Sequence, residues 1–179
     1  MAFPIPGAPL TITTDASGHA IGAFLHQLNN GENEPLSFFS RTLTDVESRY
    51  STFDREILAI FAATKKWKHF LHGSTVTVFT DHKPIVGAIK NTKERDSDRQ
   101  QRQISFILEY VSDVLFIAGK QNVVADALSG PEIAAINSLQ NTACDNTLVD
   151  LISIAKEQVN CNQNFDNLTS FKISDHNLY

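Results

Sequence analysis

"LTITTDASG" (residues 10–18) and "TVTVFTDHKP" (residues 75–84) carry the same signature, an alternating apolar and polar run that stops at a Thr-Asp pair. Alternation with a period of two is the mark of a strand with one face buried. Each stretch therefore reads as a strand with a carboxylate at its tip. If the two strands neighbour each other in one sheet and run parallel, Asp15 and Asp81 emerge side by side at one edge, where open α/β sheets place their sites. Two adjacent carboxylates repel unless a proton or a cation resolves the repulsion. Asp and Glu oxygens together with water suit Mg²⁺ or Mn²⁺.

The rest of the chain supplies elements able to bring those strands together. Leu10 to Thr14, Ile21 to Leu28 and Pro35 to Phe39 read as three strands, the last two joined through "NNGENE", whose Asn-Gly is a strong hairpin signal. Thr44 to Glu47 has the Thr-x-x-Glu form of a capping box. It opens a helix in which Tyr50, Phe53, Ile57, Ile60, Thr64, Trp67 and Leu71 recur at spacings of three and four, ending at Gly73. That stripe is a core face, and Trp67 belongs to it. Thr75 to Thr80 is the fourth strand. A short helical turn "IVGAIK", a charged loop "NTKERDSD" and an amphipathic helix through Tyr110 lead to a fifth strand in "DVLFIAG". Asn122 then caps a short helix "VVADALS", with Asp126 one turn beyond the cap. The order predicts an α/β fold with a mixed five-stranded sheet, three antiparallel strands followed by helix-linked parallel strands, and helices on its faces. Glu56 lies about 100° around the helix from Ile57, at the rim of the buried stripe, and can lean over the sheet edge. Asp126 closes the cluster from the other side.

Composition narrows the class. Of 179 residues, 42% are apolar and 20% charged, and no apolar run reaches the length of a bilayer span. Neither a membrane segment nor a secretory leader is expected, which points to an intracellular setting, cytoplasmic or nuclear. Cys144 and Cys161 stand outside any metal-ligand or disulfide spacing. The net charge of −5 argues at first against nucleic acid, yet residues 64–102 hold nine of the fifteen Lys and Arg against four acids. A basic segment beside strand-tip carboxylates is what a metal nuclease needs; a solvated helical face has the same charge pattern. Residues 1–9 read as an extended lead-in, residues 10–130 as the domain, and residues 131–179 as a polar linker and incomplete start of another region, with one helix near Leu148 to Gln158.

Four blocks, "TDASGHAIGAFLHQ", "PLSFFSRTLTDVESRYSTFDREILAIFAATKKWKHFLHG", "VFTDHKPI" and "GKQNVVADALS", occur in this order and together resemble the ribonuclease H domain of gypsy-type LTR retrotransposon Pol polyproteins. The resemblance spans residues 3–130 and implies a ribonuclease H-like fold that cleaves the RNA strand of RNA/DNA hybrids during reverse transcription. It places an acidic quartet on Asp15, Glu56, Asp81 and Asp126, and it chooses Glu56 over Asp54 and Glu47. The quartet would hold two Mg²⁺ or Mn²⁺ ions about 4 Å apart, one activating water and the other stabilising the leaving 3′ oxygen, with Asp15 bridging both. Ala16, Ser17 and Gly18 would let the RNA strand approach closely, and His82, Lys83, Arg99 and Arg102 are candidate hybrid contacts. The implied partners are the hybrid itself and the polymerase and integrase regions of the parent polyprotein, the setting being a virus-like particle or the nucleus. The loop before the last acid is "GKQN", as in the gypsy group, where many cellular and retroviral ribonucleases H carry a histidine; the usual "ADALSR" ends here as "ADALSG", which is a departure. A folded remnant that binds nucleic acid without cleaving it would share the pattern. A small-molecule phosphotransferase would need a Gly-rich phosphate loop, and none of the form GxxxxGK[ST] is present.

Overall fold

The computed structural model describes residues 4–90 and 97–130. Strands β1 (Leu10–Ala16), β2 (Ala20–Asn29) and β3 (Glu32–Thr42) form an antiparallel meander. Helices α1 (Asp45–Ser48) and α2 (Thr52–Leu71) follow, then β4 (Val76–Thr80), α3 (Lys83–Lys90), α4 (Asp98–Tyr110), β5 (Asp113–Phe116), a 3₁₀ turn over Gly119–Gln121, and α5 (Val123–Ser129). The sheet order is β3-β2-β1-β4-β5, with β4 parallel to both β1 and β5. This is the mixed sheet that the strand order predicts.

Local chemistry explains the elements. The β2–β3 hairpin closes through Asn30 (φ 51°) and Gly31 (φ 86°), the two left-handed positions a type I′ turn demands. Leu10, Ile12, Ala23, Leu25, Val76 and Val78 cover one face of the sheet, and Ile57, Ile60, Trp67 and Leu71 of α2 pack on it with Ile104 and Ile107 of α4. Trp67 is 1% exposed, and its Nε1 donates to Ser37 Oγ at 3.1 Å, so the polar tip of a core residue is satisfied.

The helix expected to run from Thr44 is in fact two. The capping box forms, with Glu47 N donating to Thr44 Oγ1 at 3.3 Å and Thr44 N to the Glu47 carboxylate at 2.9 Å. Glu47 also takes both terminal nitrogens of Arg41 at 2.9 Å, and the helix stops after one turn. Ser51 then starts α2 afresh by accepting from Asp54 N at 3.1 Å. "STFD" is itself a Ser-x-x-Asp start signal, and a second local cap competes with continuing the first helix. The charged loop at 91–96, the polar region 131–179 and both cysteines lie outside the described residues. No described helix is long and apolar enough to cross a membrane.

Candidate active site

Three of the four predicted acids meet. Asp15 ends the apolar run of β1, Asp81 follows the last residue of β4, and parallel pairing of these strands brings both tips to one edge. Glu56, in the second turn of α2, is buried at 3% exposure and completes the group. One ligand atom from each of Asp15, Glu56 and Asp81 lies within 4.8 Å of the others. Asp126, exposed on α5, stands near enough for its charge to act on Asp15.

Burial, then the charges of Asp15 and Asp81, push the Glu56 carboxyl up to about 8, against weaker hydrogen bonding from Ala16 and Thr80. Asp15 is also raised, by burial first and by Asp81 and Asp126, while a hydrogen bond from Ser129 opposes the shift. Glu56 Oε2 is buried without a hydrogen-bond partner. A buried carboxylate oxygen without a donor, in a group of three acids, has the chemistry of a hard-cation ligand. The residues present therefore fit a divalent ion.

The raised Glu56 carboxyl has a measurable consequence in the metal-free protein. Because the folded state holds this proton more tightly than the unfolded chain, its contribution to stability is complete below about pH 4.5 and is lost as pH rises towards 8. The slope is at most about 1.4 kcal/mol per pH unit. Thermal melts in chelator across pH 5 to 8 should show a declining Tm for the wild type. The decline should be shallower in Glu56→Gln, and identical slopes would contradict the assignment.

Helix α5 is fastened to β1 at both ends. Asn122 was expected to cap this helix with its side chain; instead its Nδ2 donates to Thr14 O at 3.1 Å, and no side-chain cap bond forms. At the other end Ser129 Oγ donates to Asp15 Oδ2, Ser17 Oγ donates to Ser129 O at 2.6 Å, and Ser40 Oγ to Leu128 O at 2.6 Å. This close approach needs Gly22, the register partner of Asp15. A Cβ there would stand 2.5 Å from Ala125 O and 2.7 Å from both Leu128 Cβ and Ser129 N. A Cβ at Gly119 would meet one atom at a milder 3.3 Å, Asp81 Oδ2. Ser129, Gly22 and Gly119 were not singled out from sequence. A glycine inside a strand such as "AIGAF" does signal close backbone approach, so Gly22 had a readable mark.

The expected nucleic-acid contacts divide. Gly18 is exposed, with open space where a Cβ would stand, so the surface beside Asp15 is accessible. Ala16 is buried, and Ser17 Oγ is occupied with α5 and with its own turn, accepting from His19 N and Ala20 N at 3.0 Å each. Arg99 pairs with Asp54 at 3.1 Å and lies 3.9 Å over the Tyr50 ring, tying α4 to the start of α2. Lys83 is exposed over Phe116, and Arg102 is exposed. His82 stacks edge-on against Phe53 at 6.0 Å, with its Nδ1 buried and unpartnered.

Comparison with known proteins agrees with this geometry. A family model described as an RNase H-like domain found in reverse transcriptase matches residues 6–110. The Pol polyprotein of transposon opus from Drosophila melanogaster is 39% identical over 130 residues, 72% of this chain and 13% of that protein. That of transposon gypsy, from the same organism, is 39% identical over 142 residues, 79% of this chain and again 13% of the relative. The chain thus spans about an eighth of the length of these relatives. Among solved structures, the N-terminal RNase H domain of a Mycobacterium tuberculosis protein superposes with a TM-score of 0.55 at 14% identity, covering 73% of this chain and 99% of that one. A ribonuclease H1 isolated from compost by a metagenomic approach gives 0.53 at 17% identity, covering 76% and 100%. At such identities the structures establish the fold alone.

Proposed function

Because the chain belongs to the family of RNase H-like domains found in reverse transcriptases, we propose that it is the hybrid-cleaving domain of a gypsy-type retroelement Pol polyprotein, hydrolysing the RNA strand of RNA/DNA duplexes. The observation that carries the reading is the convergence of Asp15, Glu56 and Asp81 from three separate elements at one sheet edge, beside an unpartnered Glu56 oxygen.

In this reading Asp15, Glu56, Asp81 and Asp126 hold two divalent ions, Mg²⁺ or Mn²⁺. Such ions, when bound, supply Lewis-acid stabilisation of the charge that develops on the attacked phosphodiester. Glu56 must surrender its proton to serve as a ligand, so ion affinity rises with pH up to about 8. The open surface at Gly18 admits the RNA backbone beside Asp15, and the 2′-hydroxyl is the group that distinguishes RNA from DNA there. Lys83 and Arg102 are exposed and available to phosphate; Arg99, already paired with Asp54, chiefly holds α4 in place. In the parent protein the polymerase would precede this domain, and residues 131–179 would be the linker and the start of the integrase-side region.

An RNA/DNA hybrid labelled on either strand, incubated with the chain in Mg²⁺ or Mn²⁺, tests the reading. Cleavage of the RNA strand alone is expected, and its disappearance in Asp15→Asn. A hybrid left intact both by the chain and by its fusion to a polymerase domain would point to a non-cleaving remnant.

A further inference from the structure

Ser129 is 1% exposed and hydroxyl-bearing, at the last position of α5, one helical turn after Asp126. Its Oγ faces two acceptors, Asp15 Oδ2 and the Asp126 carbonyl at 3.0 Å. A hydroxyl carries one proton, and a carboxylate is the stronger acceptor, so the proton goes to Asp15. The backbone of the same residue is gripped by Ser17 Oγ, on the turn that follows β1. Glycine at position 22 removes the side chain that would hold α5 away. The arrangement leaves Asp15 with one oxygen engaged and one turn of rigid helix between that contact and the Asp126 side chain.

We propose that Ser129 is a positioning residue of the metal centre. Through Asp15 Oδ2 it fixes the rotation of the Asp15 carboxylate and sets its separation from Asp126, so that the strand acid and the helix acid act as one ligand set. The inference rests on the reading of these acids as ion ligands, and it adds a residue outside the quartet. Ligand-orienting hydrogen bonds of this kind are worth about 10- to 100-fold in metal affinity when removed.

Ser40 provides the control, since its hydroxyl also holds α5 but gives its one proton to Leu128 O, where Ser129 gives its own to Asp15. The full chain and its Ser129→Ala and Ser40→Ala variants would be titrated with Mn²⁺ by calorimetry, at one temperature well below all three melting points. The expected result is a Kd raised roughly tenfold or more in Ser129→Ala and unchanged in Ser40→Ala, although both melt earlier than the wild type. Equal Mn²⁺ affinity in all three, or equal weakening in both variants, overturns the proposal, because either result makes Ser129 an anchor of the helix only. Should Ser129→Ala not fold, Ser129→Cys, similar in shape though larger and a weaker donor, takes its place. If the wild type binds no Mn²⁺, the ligand reading fails on its own account, and metal-free melts of Ser129→Ala in wild-type and Asp15→Ala backgrounds decide the contact. Losses of Tm that simply add would then remove it.

Discussion

Asp81→Asn should abolish hybrid cleavage while making the metal-free protein melt at a higher temperature. The two effects have one cause. Asp81 lies within 4.8 Å of ligand atoms of Asp15 and Glu56, and its charge raises the carboxyls of both. Unit charges at such distances repel by roughly 3 kcal/mol at an effective dielectric of about 20. Asp81 is half-buried, so solvent screening reduces the relief to about 1 kcal/mol, a rise of roughly 2–4 °C in Tm. The amide removes an anionic ligand directly, so the loss of activity should exceed the roughly hundredfold cost of losing a ligand's hydrogen-bond partner. Melting in chelator and cleavage of labelled hybrid measure the two halves. A metal-free Tm lower than that of the wild type would mean that the carboxylate stabilises the apo fold, and the account of a repulsive cluster would be wrong.

The second large effect is steric. Gly22→Ala places a methyl group against Ala125 O, Leu128 Cβ and Ser129 N at separations of 2.5–2.7 Å, and two of these three atoms are backbone. No rotamer change relieves such contacts, so α5 must lift from β2. Overpacking of this kind costs roughly 1–3 kcal/mol or more, which is about 2–12 °C in Tm for a domain of this size. Lifting α5 also withdraws Ser129 from Asp15 and moves Asp126, so Mn²⁺ binding should weaken together with stability. Gly18→Ala is the matched comparison. Its Cβ meets nothing within 4 Å, and its melting temperature should stay at that of the wild type. Gly22→Ala melting with the wild type would show that α5 sits further from the sheet.

Much of this was legible in the chain. Period-two runs at residues 10–15 and 75–81 located both strand tips, and the Asn-Gly turn fixed the hairpin that makes β2 the neighbour of β3. Parallel pairing of β1 with β4 then followed from a helix long enough to cross the sheet. Glu56 was harder to choose. Asp54 and Glu47 lie close by in sequence, periodicity separates them with little force, and the choice rested on the family resemblance; packing buries Glu56 while Asp54 turns to Ser51, Arg99 and Gln100. What stayed hidden were the contacts of uncharged residues. Ser129 and Ser40 look like surface serines in a string of letters, because nothing local says that a helix end will come to rest on a strand tip 114 residues earlier. Asn122 read as a cap for the same reason: its bond to Thr14 O crosses 108 residues.

Those spans order the domain in time as well as in space. Synthesis delivers β1 to β5 first, a complete sheet bearing Asp15 and Asp81 with Glu56 on the helix packed against it. The helix that binds Asp15 through Ser129 comes last among the described elements. A nascent chain that ends before Ser129 can own a finished scaffold and three of its acids, yet its central carboxylate lacks the hydroxyl that Ser129 supplies. In this polypeptide the acid cluster gains its last support at the C-terminal edge of the domain, after the architecture that carries it.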